Sequence, residues 1–126
     1  MPIEKEIWKT IKEFPRYQVS NQGRIKSLIG NEKILKPTAD NKGYLRVKLS
    51  RKPIGKGMYS AQTMRIHRLV AKYFCDNYAA NKEIHHKNLR RQDNRAINLV
   101  CLTKAEHAEL HRQLHEEQQE RQKNAA

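Results

Sequence analysis

The sequence has only two cysteines, Cys75 and Cys101, and no CxxC pair. That excludes a disulfide scaffold and a thiolate zinc knuckle, and it leaves two reduced core thiols of an intracellular protein as the expectation. Glycine numbers five, and Gly55-Lys56-Gly57 lacks the GxxxxGK[ST] spacing of a nucleotide-binding loop. No apolar run approaches bilayer length, and the first residues hold no signal-peptide core, so membrane association is not expected and a cytoplasmic location is. Aromatic residues are few, yet apolar residues recur with clear periodicity, which argues against disorder. Acidic residues are also scarce: 13 stand against 26 Lys and Arg, for a net charge of +13 over 126 residues.

That positive charge is unevenly placed. From Thr103 onward there are four basic and five acidic residues, whereas residues 1–102 hold 22 basic and eight acidic ones. Everything upstream of the last helix therefore carries the field, which favours association with polyanions. The length suits one domain or two small modules, and we expect a division into residues 1–62 and 63–126.

The first half reads as antiparallel strands. Trp8, Ile11 and Phe14 precede Pro15, which ends any early helical turn. Tyr17 and Val19 then lead through the turn cluster Ser20-Asn21-Gln22-Gly23 into Arg24–Leu28, a hairpin pattern. A second extended pair is expected between Ile34-Leu35-Lys36 and Tyr44–Leu49, across the turn at Asp40–Gly43. In the latter strand Leu45, Val47 and Leu49 share one face while Arg46 and Lys48 take the other. Residues 51–61 read as a loop. Met64-Arg65-Ile66 reads as a short strand, and Leu69, Val70, Tyr73 and Phe74 as the core stripe of a following helix. His67 opens that helix, with a structural hydrogen-bonding role expected.

The run from Ile84 to His115 holds five of the six histidines. The adjacent pair His85-His86 lies on a short extended segment, followed by a polar, basic loop and a second strand over Ile97–Leu102. Thr103-Lys104-Ala105-Glu106 matches the capping box of a helix. On that helix His107, His111 and His115 share a face, drifting about 40° per step. Imidazole is both a metal ligand and a base near neutral pH. Phosphodiester hydrolysis needs a base for water and a cation for the developing charge. The pattern in a basic chain therefore points to nucleic acid hydrolysis. Regular strand geometry would put His85 and His86 on opposite faces, so both can serve one site only where the strand twists or opens.

These residues resemble the HNH nucleases of the ββα-metal fold, and in particular their three-histidine, colicin-like branch. The resemblance implies that His86 is the general base, that Asn98, just before Leu99, orients or polarises its ring, and that His85, His107 and His111 hold one divalent ion. His115 has no counterpart. Upstream, Ile7-Trp8 and Tyr17–Ser27 resemble the nuclease-associated modular DNA-binding motif of phage and homing endonucleases, and Ile66–Ala71 with Phe74 resembles their lead-in to the HNH segment.

The implied protein is α+β: an N-terminal antiparallel β module followed by a ββα-metal nuclease core. Its implied activity is metal-dependent endonucleolytic cleavage of DNA, leaving 5′-phosphate and 3′-hydroxyl ends, in a phage- or mobile-element-encoded monomer or homodimer. The chain departs from common members in carrying His85 where many have Asp, and a loop without Gly over Lys87–Gln92. Three imidazoles suit Zn, Ni, Co or Mn; Mg stays open, since phosphate and water would complete its shell. Arg24, Lys26, Lys36, Arg46, Lys48, Arg90 and Arg91 are the expected backbone contacts. The alternative is a non-enzymatic DNA-binding protein with a closed structural zinc site.

Overall fold

The computed structural model describes residues 5–51 and 61–124. Strands β1 (Trp8–Thr10), β2 (Tyr17–Ser20), β3 (Ile25–Ser27) and β4 (Lys33–Ile34) form an antiparallel sheet in the order β1-β2-β3-β4. Strands β5 (Thr38–Ala39), β6 (Leu45–Ser50) and β7 (Ala61–Arg65) form a second sheet, and β7 runs directly into helix α1 (Ile66–Phe74). Strands β8 (Glu83–His86) and β9 (Leu99–Leu102) pair antiparallel, and helix α2 (Lys104–Asn124) follows. The fold is α+β, with antiparallel strands first and a strand-strand-helix unit last.

Local chemistry accounts for most of these elements. The β2–β3 turn uses Gly23 at φ +82°, a left-handed conformation open to glycine at little cost. The β5–β6 turn is closed by Asp40, whose Oδ1 accepts from the backbone N–H groups of Lys42 (2.9 Å) and Tyr44 (3.0 Å). Val47 and Leu49 are buried while Arg46 and Lys48 are exposed, as the alternation in β6 requires. Thr103 and Glu106 form the expected capping box, each side chain accepting from the other's backbone N–H at 3.0 and 3.1 Å.

Three expectations need correction. Ile34 does not pair with β6; it pairs with Lys26 of β3, and Thr38–Ala39 takes the place beside β6. Pro37 separates the two, since it has no N–H to donate to a ladder. Trp8 lies in a strand paired with Ser20, and the turns come after it, through Phe14 N–H to Ile11 O and Tyr17 N–H to Phe14 O. Finally, β9 begins at Leu99, because Ala96–Asn98 makes a single 3₁₀ turn. The 51–61 loop falls almost wholly outside the described residues.

One core runs through the chain. Ile11 and Phe14 from the β1–β2 connection and Tyr17, Val19 and Ile25 from the first sheet pack with Val47, Leu49, Ile66, Leu69, Val70 and Leu99. Burying a side chain of Leu or Ile size stabilises by about 2 kcal/mol, so Ile66, Leu69 and Val70 make α1 the element that ties the sheets to the β8–β9 pair. The division at 62/63 read from the sequence falls inside β7, and the core is continuous across it. No described helix is long and apolar enough to cross a membrane. Cys101 is buried, Cys75 half-buried, and both are free thiols.

Candidate active site

Strand β8 alternates, and its two histidines meet different partners. His85 faces α2: its ring centroid is 5.5 Å from that of His107 and 6.0 Å from that of His111, which are themselves 4.6 Å apart. One ligand atom from each of the three lies within 4.8 Å of the others. The His107 and His111 Nε2 atoms are 3.0 Å apart. Two nitrogens bound tetrahedrally at ~2.0–2.1 Å would stand ~3.3 Å apart, so the donor set fits a divalent cation with little movement. The other ring nitrogen of His107, Nδ1, is held by the Glu83 carboxylate, an arrangement that fixes the tautomer leaving Nε2 available. Burial, followed by the neighbouring His107 and His111, pushes the His85 pKa below its ordinary value.

His86 faces the other way, toward α1 and β6. Its ring lies 5.3 Å from that of His67 and 6.1 Å from that of Tyr44. The residue is 5% exposed, and its Nε2 is 2.9 Å from Asn94 Oδ1. Because that oxygen accepts, Nε2 carries the proton and Nδ1 keeps its lone pair. His86 is the last residue of β8, where the chain leaves the ladder, and both histidines line one cavity of about 220 Å³ with Tyr44, Ile84, Leu89, Arg91, His107 and His111. The two histidines thus border one cavity although they leave opposite faces of β8.

Asn98 does something other than hold the His86 ring. Its Nδ2 donates to Asn88 Oδ1 (3.0 Å) and to Asp93 O (2.8 Å), and its Oδ1 accepts from the Asn88 backbone (3.1 Å). Its own carbonyl accepts from Lys87 N–H at 2.8 Å. Asn98 therefore braces the 87–93 loop from inside, and Asn94 is the residue on the ring. Asp93 is bonded to Arg95 and Asn88, and the Arg95 guanidinium is the main cause of its pKa falling to about 2. His67 is buried, which pushes its pKa down to about 3 and keeps it neutral; its Nδ1, with Asn94 Nδ2, has no hydrogen-bond partner among the described residues. The hydrogen-bonding role expected for His67 is not what the structure shows; it packs by ring contact with Tyr44 and His86.

The basic residues divide into groups. Arg91 sits at the cavity, its guanidinium 4.8 Å from the Tyr44 ring centroid and donating to Lys42 O. Arg65 lies 4.7 Å from the same ring and pairs with Asp40. Lys36, Arg46, Lys48 and Arg90 are exposed. Arg24 is engaged with Glu6, and Lys26 lies 4.2 Å from the Trp8 ring centroid and 4.0 Å from Glu32.

Sequence reasoning did not find Glu83, Asn94 or Tyr44. Glu83 had a signal, since it lies two residues before His85 and so on the same strand face. Asn94 and Tyr44 had none, Asn94 being in a loop and Tyr44 lying just ahead of β6, far away in the chain. His115 stands apart from the three-histidine cluster.

Comparison with known proteins agrees with this architecture. Residues 65–109 match the HNH endonuclease family and residues 6–50 match the NUMOD4 motif. The chain thus carries an HNH endonuclease segment with a NUMOD4 motif ahead of it. It is 38% identical over 97 residues to DNA endonuclease I-HmuI of Bacillus phage SP01, covering 76% of this chain and 52% of that protein. It is 39% identical over 110 residues to the uncharacterized HNH endonuclease L247 of Acanthamoeba polyphaga mimivirus, covering 84% of this chain and 26% of that one. A solved structure described as DNA binding and cleavage by the HNH homing endonuclease I-HmuI superposes with a TM-score of 0.68 at 34% identity, over 82% of this chain and 56% of that one. The chain spans about half the length of I-HmuI and about a quarter of the mimiviral relative.

Proposed function

We propose that this chain is a metal-dependent DNA endonuclease that hydrolyses a phosphodiester to 5′-phosphate and 3′-hydroxyl ends. The observation that carries the reading is the shared cavity, lined by three convergent imidazoles and by a fourth, buried histidine whose Nε2 meets Asn94 Oδ1.

His85, His107 and His111 would hold one divalent ion, which when bound supplies Lewis-acid stabilisation of the phosphoryl oxygens and the leaving 3′ oxygen. His86 takes the proton of the attacking water at Nδ1, since Asn94 retains the proton at Nε2. A positioned base of this kind contributes about 10²–10⁴ in rate. Asn94 orients the base, while Asn98 shapes the loop that carries both Asn88 and Asp93. Arg91, set against Tyr44, offers a guanidinium to a phosphate at the cavity mouth. Lys36, Arg46, Lys48 and Arg90 track the DNA backbone further out, with Arg24 and Lys26 contributing from the first sheet. One site per chain cuts one strand.

The deciding experiment is supercoiled-plasmid cleavage with chelator, Mg, Mn, Ni or Zn, run beside His86→Ala. Ion-dependent nicking lost in the variant is the expected result. No cleavage with any ion, in a protein that binds both zinc and DNA, would overturn the reading in favour of a structural zinc site.

A further inference from the structure

Leu89 is out of place by every local rule. It is the one non-glycine residue among those described with positive φ, at +64°. The left-handed region costs an L-residue roughly 1–2 kcal/mol, which Gly and, in part, Asn escape. The turn itself is well supported, with Leu89 N–H donating to His86 O at 2.9 Å and Arg90 N–H to Asn88 Oδ1 at 2.9 Å. Nothing in those bonds calls for a leucine side chain. Nor does packing, because Leu89 is 62% exposed, the most exposed of the large hydrophobic residues described. A strained backbone that carries an uncovered apolar side chain is a cost to the fold without a return within it.

Its position suggests where the return lies. Leu89 lines the same cavity as His85, His86, His107 and His111, beside Arg91 and Tyr44. The imidazoles and the guanidinium suit phosphate oxygens. The apolar surface a DNA strand offers next to a phosphate is the C–H edge of the deoxyribose and the adjoining base. Apolar side chains are used in this way against base steps.

Resting on the DNA-cleaving reading above, we propose that Leu89 is a substrate-contacting wedge that packs against the sugar and base edge of the nucleotide flanking the cleaved phosphate. It sets how far the strand can slide past the histidines, a task for which a flexible or hydrogen-bonding residue is less suited. A sugar contact does not depend on sequence, so a duplex of arbitrary sequence reports it.

The test uses the full chain carrying His86→Ala, with Mn present, so that binding is read without cleavage. Affinity for a 30-bp duplex is followed by fluorescence anisotropy from low to moderate salt for Leu89→Gly, Leu89→Asn and Arg91→Ala. Both Leu89 variants are expected to bind about tenfold more weakly with an unchanged salt slope, because no counterion-releasing contact is lost, while Arg91→Ala lowers the slope by about one. The melting temperature of the Leu89 variants should not fall. Affinity within twofold of the parent, or a weakening matched by loss of thermal stability in both variants, would overturn the proposal. Plasmid cleavage by the unmutated chain is scored separately. Failure to cleave with a Leu89-dependent affinity intact removes the nuclease reading and leaves the contact supported. No duplex binding by the parent overturns both.

Discussion

Gly23 and Asn94 meet backbone to side: a Cβ added to Gly23 would fall 2.9 Å from the Asn94 carbonyl oxygen and 3.0 Å from the Asn94 Cβ. The β2–β3 turn of the first sheet is thereby pressed against the loop residue that holds the His86 ring. The contact is locked nearby by Ala96 N–H donating to Asn21 O at 2.8 Å. Gly23→Ala combines that clash with a side chain at φ +82°, and we expect a loss of about 2–3 kcal/mol. Turnover should fall beyond what a core variant of equal melting temperature loses. Equal losses in the two would mean that the contact serves the fold alone.

Asn94→Ala should lower kcat by about ten- to a hundredfold with little change in KM, as expected for misdirecting a general base. Asn94→Asp keeps the acceptor and should restore part of the rate. Nitrogen NMR of the His86 ring reports the tautomer directly. A ring that stays Nε2-protonated in Asn94→Ala would refute the assignment.

Glu83→Ala should weaken zinc binding by about 10–100-fold, the usual consequence of removing a carboxylate behind a ligating histidine. His107→Ala should weaken it further. Isothermal titration calorimetry separates the two. In the unmutated chain, metal at 100 times Kd should stabilise the fold by about 2.7 kcal/mol, and chelator should reverse this.

His67 makes stability depend on pH. Folded, burial holds its pKa at about 3, against an ordinary 6.5. Between those values the unfolded chain binds the extra proton, so stability falls as pH drops from about 6.5 toward 3 and is insensitive to this group above 6.5. The slope from His67 is about 1.4 kcal/mol per pH unit. Denaturant melts of His67→Phe should run flatter than the parent over that window; parallel curves would show that His67 is protonated in the folded state.

Arg46→Ala combined with Lys48→Ala should reduce the salt slope of DNA binding by about two while leaving zinc affinity unchanged. A fall in zinc affinity would show that β6 supports the metal cluster and does not simply face DNA.

The sequence made the two ends of this site legible in different degrees. The capping box at Thr103 and Glu106 and the four-residue spacing of His107 and His111 are local patterns, and the structure reproduces them. The alternation of β6 is local too. Strand pairing is not: Ile34 and Thr38 compete for neighbours across several residues, and only Pro37 hinted that the strand would split. The placement of Asn98 illustrates a further limit. Its type and position are readable, but whether its amide reaches a ring or a loop depends on how the 87–93 backbone turns, which is settled by Asn88, Asp93 and a left-handed Leu89 acting together. Asn94 could not be found from pattern, because it lies in an irregular loop packed against a turn some 70 residues earlier in the chain.

The ladder between β6 and β7 has a last consequence. Arg46 and Lys48 sit on a strand whose neighbour continues without interruption into α1, and α1 packs against β8 and β9. The span from these cations to His86 therefore runs through one ladder, one continuous strand-to-helix junction and one packed helix face, with no loop in its path. A chain built this way has the character of a ruler: on the proposed reading, a duplex seated on the basic face of β6 would present its scissile bond at a constant offset from it.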